Sequence, residues 1–318
     1  LKDAIIQKFK NENNLDYKAS EITVGCGAKH VIFNAFFATL NPRDEVVIPA
    51  PYWVSYPDMV KIAEGNPVIV TTDDSTDFKI SPEQLQAAIT DKTKWLILNS
   101  PSNPTGSAYT FDELKALANV LLQNPNVHVL SDDIYEHITY DDFKFSTIAE
   151  VEPQLKNRVL TVNGVSKAYS MTGWRIGYGA GDEALIKAIK KIQSQSTSNP
   201  CSVSQAASIE ALLGTQDYIP TNNDKFKKRR DFVCAEIDKI DGLSCYKPVS
   251  AFYVFPSYGQ QISNDTDFCK LLLEQGLVAA VPGSAFGAEG YFRISYATSE
   301  ANLEKALERI AKFCNGLK

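Results

Sequence analysis

Paired cysteines are missing from this 318-residue chain: its six cysteines lie scattered at 26, 201, 234, 245, 269 and 314, with no CxxC spacing. That excludes zinc-ribbon and dithiol redox motifs and fits free thiols in a reducing cytoplasm. Histidine is scarce as well, and His30, His128 and His137 stand too far apart in sequence to suggest a metal cluster. A basic excess is also lacking: 32 Lys and Arg against 38 Asp and Glu leave a net charge of −6. A nucleic-acid or anionic-membrane binder would show the opposite balance. The run Lys227–Arg230 therefore reads as a solvated helix face. The most apolar stretches, 31–40 and 271–281, are too short or too interrupted to span a bilayer. The opening LKDAIIQKFKNEN has no signal-peptide core; it reads as an amphipathic helix. It carries no initiator Met, so the expectation is that further residues precede it. No GxGxxG follows the first strand, which counts against a nicotinamide dehydrogenase.

What the chain does have is alternation. Strands are expected at Glu45–Ile48, Val68–Thr71, Lys94–Asn99, Val127–Ser131, Arg158–Val162 and Ile176–Ala180, with an earlier one at ITV. Helix-length amphipathic segments fall between them at 28–40, 53–63, 81–90, 111–123 and 182–195. Ser81 with Gln84 and Thr110 with Glu113 supply capping boxes. This pattern predicts an α/β fold, a mainly parallel sheet with helices on both faces. Beyond about residue 215 it changes to a long polar helix over 216–240, short β runs at Ala251–Phe255, Leu277–Val281 and Tyr291–Tyr296, and helices at 266–275 and 300–314. The expected division is a large domain over 1–215 and a smaller α+β domain over 216–318.

In a parallel sheet, sites gather in the loops after the carboxyl ends of the strands. Four segments fall there. GCGAK (25–29) opens a helix with small residues, which lets backbone N–H groups approach a phosphate. NSPSNPTG (99–106) holds Asn103 between prolines on a stiff loop. SDDIYE (131–136) puts Asp132 at a strand terminus with Tyr135 three residues on. NGVSKAYSMTGWRIGY (163–178) places Lys167 just past a β run and Arg175 eight residues later.

Together with PYWVSYP, QSTSNP and FRISYATSEANL, these segments resemble the class I and II aminotransferases of pyridoxal-phosphate fold type I, and within them the bacterial aspartate aminotransferases. The resemblance runs the length of the chain and implies a seven-stranded large-domain sheet. It implies that Lys167 carries the cofactor and moves the proton between Cα and C4′. Asp132 corresponds to the carboxylate paired with the pyridine nitrogen, and Asn103 and Tyr135 to the donors to the ring oxygen. Arg175, backbone at Gly27 and Ala28, and the Ser166 hydroxyl correspond to the phosphate site. Trp53 corresponds to the stacked aromatic residue, and Arg293 to the arginine that grips the substrate α-carboxylate; Trp53 and Asn103 also border the substrate. The implied partners are amino-acid and 2-oxo-acid substrates and a second copy of the chain, to whose site residues 195–200 would contribute.

Three positions depart from the pattern. Gly164 stands where a phosphate-binding serine is frequent. Ser194 stands where one branch has an arginine for the distal substrate carboxylate, leaving Lys29 as the cation for that role. The segment that usually precedes residue 1, and supplies a tyrosine to the partner, is not in this sequence. The leading expectation is aspartate or glutamate transamination with 2-oxoglutarate or oxaloacetate. Prephenate or aromatic transamination is the alternative in the same branch, and a lyase of the aminocyclopropane-carboxylate synthase type shares the cofactor residues. A transcription factor with an aminotransferase-like sensor domain would need a DNA-binding domain upstream.

Overall fold

Seven strands in the order β1-β7-β6-β5-β4-β2-β3 form the main sheet of the computed structural model, which describes residues 1–259, 262 and 264–316. They are β1 (Ile22–Cys26), β2 (Glu45–Ala50), β3 (Asn66–Thr71), β4 (Thr93–Asn99), β5 (His128–Asp132), β6 (Val159–Gly164) and β7 (Ile176–Ala180). β2 to β6 pair in parallel, while β7 is antiparallel to both β6 and β1. The mostly parallel sheet is therefore as expected, with one reversed strand inside it.

The sheet is covered on both sides by α1 (Lys2–Asn13), α2 (Ala28–Thr39), α3 (Ser55–Ile62), α4 (Pro82–Ala88), α5 (Phe111–Gln123), α6 (Ile148–Val151), α7 (Glu183–Ser194) and α8 (Ser202–Leu213). Burial on both faces explains why β4 reads as the apolar run WLIL. Within that run Leu96 and Leu98 pack with Phe9, Leu117 and Leu121 on one side. Trp95 and Ile97 pack with Val31, Phe36 and Ile189 on the other. The two capping boxes form: Ser81 accepts from the Gln84 N–H and Thr110 from the Glu113 N–H.

The chain continues through α9 (Tyr218–Ile237), β8 (Leu243–Ser244), β9 (Tyr253–Val254), β10 (Ser257–Tyr258), α10 (Asp265–Gly276), β11 (Val281–Pro282), β12 (Phe292–Ser295) and α11 (Glu300–Asn315). β11-β12-β9 make a three-stranded sheet and β10-β8 a two-stranded one. Val233, Phe268, Leu272, Phe292 and Leu307 form their core, joined by Tyr135, Ile138 and Tyr140 from the loop after β5. That loop thus packs against the second core while β5 itself belongs to the first.

Three expectations need correction. The strand expected at Leu277–Val281 survives only at Val281, since Leu277 takes a left-handed conformation (φ 56°) that caps α10. The β run at Ala251–Phe255 shrinks to two residues because Ala251 is also left-handed (φ 57°). α8 was not anticipated, since its serine-rich sequence SVSQAASIEALL carries little helical periodicity. An apolar run reports burial, and only regular spacing reports the backbone that achieves it.

Candidate active site

β1, β4, β5 and β6 run in one direction, so the segments after them meet at one edge of the sheet. They enclose a cleft of about 670 Å³ lined by Ala28, Lys29, Trp53, Asn103, Asp132, Tyr135, Ser166, Lys167 and Arg175. Nine of the expected site residues share one cavity.

At its floor, Gly27 adopts φ 85°, and a Cβ there would lie 2.3 Å from Nη2 of Arg175. A Cβ on Gly177 would lie 2.0 Å from the Ala28 nitrogen. Both glycines are therefore needed to bring the start of α2 and the Arg175 guanidinium together. Arg175 itself is left-handed (φ 56°), and its Nη1 donates to the Thr172 carbonyl at 3.0 Å. Helix N–H groups beside a guanidinium make an anion site.

Asp132 ends β5 with its side chain buried. Tyr56 donates to its Oδ2 at 2.6 Å, while Oδ1 is buried without a partner. Burial pushes the carboxyl up to about 6, against the pull of Tyr56, the Ile134 N–H and Lys167. An unpartnered buried carboxylate oxygen is costly unless a donor meets it. A protonated ring nitrogen in the cleft is such a donor, so the residues present fit a pyridine cofactor. Asn99 steadies this floor: its Nδ2 donates to the Asp132 carbonyl at 3.0 Å and its Oδ1 accepts from the Asn103 N–H at 2.9 Å.

Arg293, on β12, is not part of the cleft lining but reaches its rim. Its Nη1 donates to Asn103 Oδ1 at 2.9 Å, and its guanidinium lies 4.6 Å from the Tyr253 ring centroid and 5.0 Å from that of Phe286. Its Nε has no partner. Because Asn103 spends its oxygen on Arg293, its NH2 group is left to donate into the cleft. The Tyr135 and Tyr253 hydroxyls bond at 2.9 Å. Lys167 Nζ sits 5.5 Å from the Tyr135 ring centroid and 5.7 Å from that of Phe252. Burial lowers the Lys167 ammonium, opposed by Asp132 and reinforced by Arg293 and Arg175. The result brings together an amine whose pKa burial lowers, a helix start beside a guanidinium, a buried carboxyl with one open oxygen, and an arginine at the rim with an unpartnered Nε.

Residues 1–310 match the family model "Aminotransferase class I and II". The chain belongs to the class I and II aminotransferases. It is 55% identical to an aspartate aminotransferase of Rhizobium meliloti, covering all of this chain and 80% of that protein. It is 54% identical to an aspartate/prephenate aminotransferase of Cereibacter sphaeroides, covering all of this chain and 82% of the relative. The crystal structure of the Rhizobium meliloti aspartate aminotransferase superposes with a TM-score of 0.96 at 54% identity, over 99% of this chain and 81% of that one.

In this aminotransferase the departures from the family pattern acquire physical content. A Cβ on Gly164 would lie 2.8 Å from the Ile176 carbonyl, so the close pairing of β6 with β7 leaves no room for a side chain there. The Ser194 hydroxyl donates to the Lys191 carbonyl of its own helix at 2.8 Å. Lys29 is exposed at the cleft mouth with Nζ 4.8 Å from the Trp53 ring centroid. Sequence reasoning missed Tyr56, Asn99 and Tyr253. Tyr56 follows Trp53 by three residues at the start of a helix, which is a legible signal of a shared face. Tyr253 had none, because only the fold brings β9 to the cleft. Among the described residues no helix is long and apolar enough to cross a membrane.

Proposed function

We propose that this chain is a pyridoxal-phosphate enzyme that transfers the amino group of aspartate to a 2-oxo acid, acting in the cytoplasm as a homodimer. The observation that carries the cofactor is the unpartnered Oδ1 of buried Asp132 in a cleft shared with the Lys167 amine. Bound pyridoxal phosphate supplies an aldehyde carbon for the amino group and a ring that accepts the electron pair from Cα.

Every other part is this chain's own work. Gly27 and Ala28 backbone, Ser166 and Arg175 hold the phosphate, and Trp53 stacks on the ring. Asp132 keeps the proton on the ring nitrogen, so the ring stays cationic. Asn103 and Tyr135 donate to the ring oxygen. Arg293 takes the α-carboxylate as a fork, which fixes the Cα–H bond toward Lys167. The Lys167 amine, whose pKa burial lowers, would take the proton from Cα and return it at C4′ once the cofactor is bound. Lys29 at the mouth provides a point charge for a distal carboxylate.

Prephenate is the second reading, favoured by the cleft's open, Trp-lined mouth and by the name of the Cereibacter sphaeroides relative. The division into residues 1–215 and 216–318, and the share of residues 195–200 in a partner's site, belong to the same proposal.

The test adds single amino acids to the purified holoenzyme and follows the cofactor spectrum. Aspartate and glutamate should convert it to the amine form without a keto acid, whereas a lyase would release product catalytically from one substrate. Lys167→Ala should bind cofactor yet lose turnover by about 10⁴-fold. Wild-type turnover in that variant would refute the assignment.

A further inference from the structure

Tyr253 touches both functional halves of the cleft, although neither the sequence motifs nor the family pattern singled it out. It lies on β9, opposite Ser295 of β12. Arg293 is two residues before Ser295 and so lies diagonally across from Tyr253, within reach of an aromatic ring. The contact is made: the guanidinium carbon sits 4.6 Å from the ring centroid. At the other end of the same ring, the Tyr253 hydroxyl bonds that of Tyr135 at 2.9 Å. The two rings meet edge to face, 5.9 Å apart at 83°. Tyr253 is 6% exposed, so this arrangement is held by packing.

We propose that Tyr253 is a positioning residue with two separable tasks: its hydroxyl aims the Tyr135 phenol into the cleft, and its ring face holds the Arg293 guanidinium for the substrate carboxylate. The proposal rests on the cofactor reading above. A phenol has one proton to donate. When Tyr135 gives its proton to the cofactor ring oxygen, the bond between the two hydroxyls must run from Tyr253 to Tyr135. Donation into the Tyr135 oxygen polarises its O–H and makes it the stronger donor. The cation over the Tyr253 face is fixed in orientation before substrate arrives, which removes an ordering cost from binding. One side chain thus couples the electronic setting of the cofactor to the grip on the substrate. The charged and titratable groups facing the Tyr135–Tyr253 pair are Asp132 from β5, Arg293 from β12, Tyr56 from α3 and Lys167 from the loop after β6. Lys167 faces Asp132, Arg293 and Arg175.

The two tasks separate by substitution. Tyr253→Phe removes only the hydroxyl, and Tyr253→Leu removes hydroxyl and ring face together. Two readouts are taken on holoenzyme: the pH titration of the visible absorbance of Lys167-bound pyridoxal phosphate, and the Kd for succinate as a carboxylate probe. With a weaker Tyr135 donor, the titration midpoint in Tyr253→Phe should rise by about 0.3–1 unit, a two- to tenfold change in the equilibrium, with succinate Kd within about twofold of wild type. Tyr253→Leu should show the same rise and a succinate Kd weakened by about 2- to 30-fold. Recovery of succinate affinity in Phe relative to Leu assigns that part to the ring. A Tyr253→Phe enzyme that titrates like wild type, or a Tyr253→Leu enzyme that binds succinate like wild type, overturns the proposal. Failure of the cofactor reading shows separately, as a wild-type protein with no cofactor absorbance at all.

Discussion

Two buried carboxylates four residues apart, Asp132 and Glu136, are built in opposite ways. Asp132 has one oxygen satisfied by Tyr56 and the other left without a partner. Around Glu136, Asn13 and Asn163 donate to its two oxygens at 3.0 and 2.8 Å, and the fully buried Lys8 ammonium pairs with it. Lys8 also donates to Asn13 at 2.7 Å, and Asn163 accepts from the Gly164 N–H at 2.7 Å. Burial alone would raise the Glu136 carboxyl, but Lys8, His137 and Asn13 hold it below its ordinary value. In Asp132, burial wins. Glu136 is a closed structural clamp joining α1, the loop after β5 and the end of β6. Asp132 keeps one oxygen open, the oxygen that the proposed function assigns to the cofactor. Burial is the same in both; they differ in whether their partners are built in.

The largest expected difference is in chemistry. Asp132→Asn should slow Cα deprotonation by about 10²–10⁴-fold in single-turnover kinetics, because an amide cannot keep a proton on the ring nitrogen. An unchanged single-turnover rate would show that the open oxygen of Asp132 plays no part in the chemistry. Glu136→Gln should act on folding, costing up to about 3–5 kcal/mol in denaturant unfolding because the buried Lys8 loses its nearest carboxylate and keeps only that of Glu12 at 3.4 Å. Adding Lys8→Met should recover much of that loss. A Glu136→Gln protein as stable as wild type would show that the clamp is idle.

A third, exposed charge sharpens the contrast. Lys29 is neither clamped nor buried, and its effect should appear only with acidic donors. Lys29→Ala should lower kcat/KM for aspartate and glutamate by about 10- to 150-fold, the value of a charge-assisted contact of roughly 1.5–3 kcal/mol, while sparing aromatic donors. A parallel loss for all donors would make Lys29 a cofactor residue instead.

The smallest effect is in the pH dependence of the protein stripped of cofactor. The folded-state carboxyl of Asp132 is raised from 3.8 to about 6, so the unfolded chain releases this proton first. Stability is lost as pH rises from about 4 to 6, and Asp132→Asn should melt higher than wild type at pH 7 by about 1–3 kcal/mol, converging with it near pH 4. Glu136 has the opposite sign: its folded-state carboxyl is lowered, so its contribution is present above about pH 4.5 and fades as pH falls below that. Melting curves across pH 4–8 for the two variants should therefore diverge in opposite directions from wild type. Curves that shift together would mean both carboxylates serve the same purpose.

Much of this molecule was legible from its residues alone. Strand–helix alternation fixes a parallel sheet, because short apolar runs and amphipathic segments have different periods and bury different faces. The capping boxes at Ser81 and Thr110 fix two helix starts from chemistry within one turn of chain. The motifs around Gly27, Asn103, Asp132 and Lys167 point to strand-end loops, and loops after parallel strands converge. The short elements after residue 240 were less legible: Leu277 and Ala251 adopt left-handed backbones that no apolar pattern announces. What only the tertiary structure decided are relations between distant segments. Tyr56 reaches Asp132 across 76 residues, Lys8 reaches Glu136 across 128, and Tyr253 meets Tyr135 across 118. Local sequence encodes period, caps and charge, because these act within a few residues. Which buried polar atom finds a partner depends on the packing of whole elements, and that alone separates the closed clamp at Glu136 from the open carboxylate at Asp132.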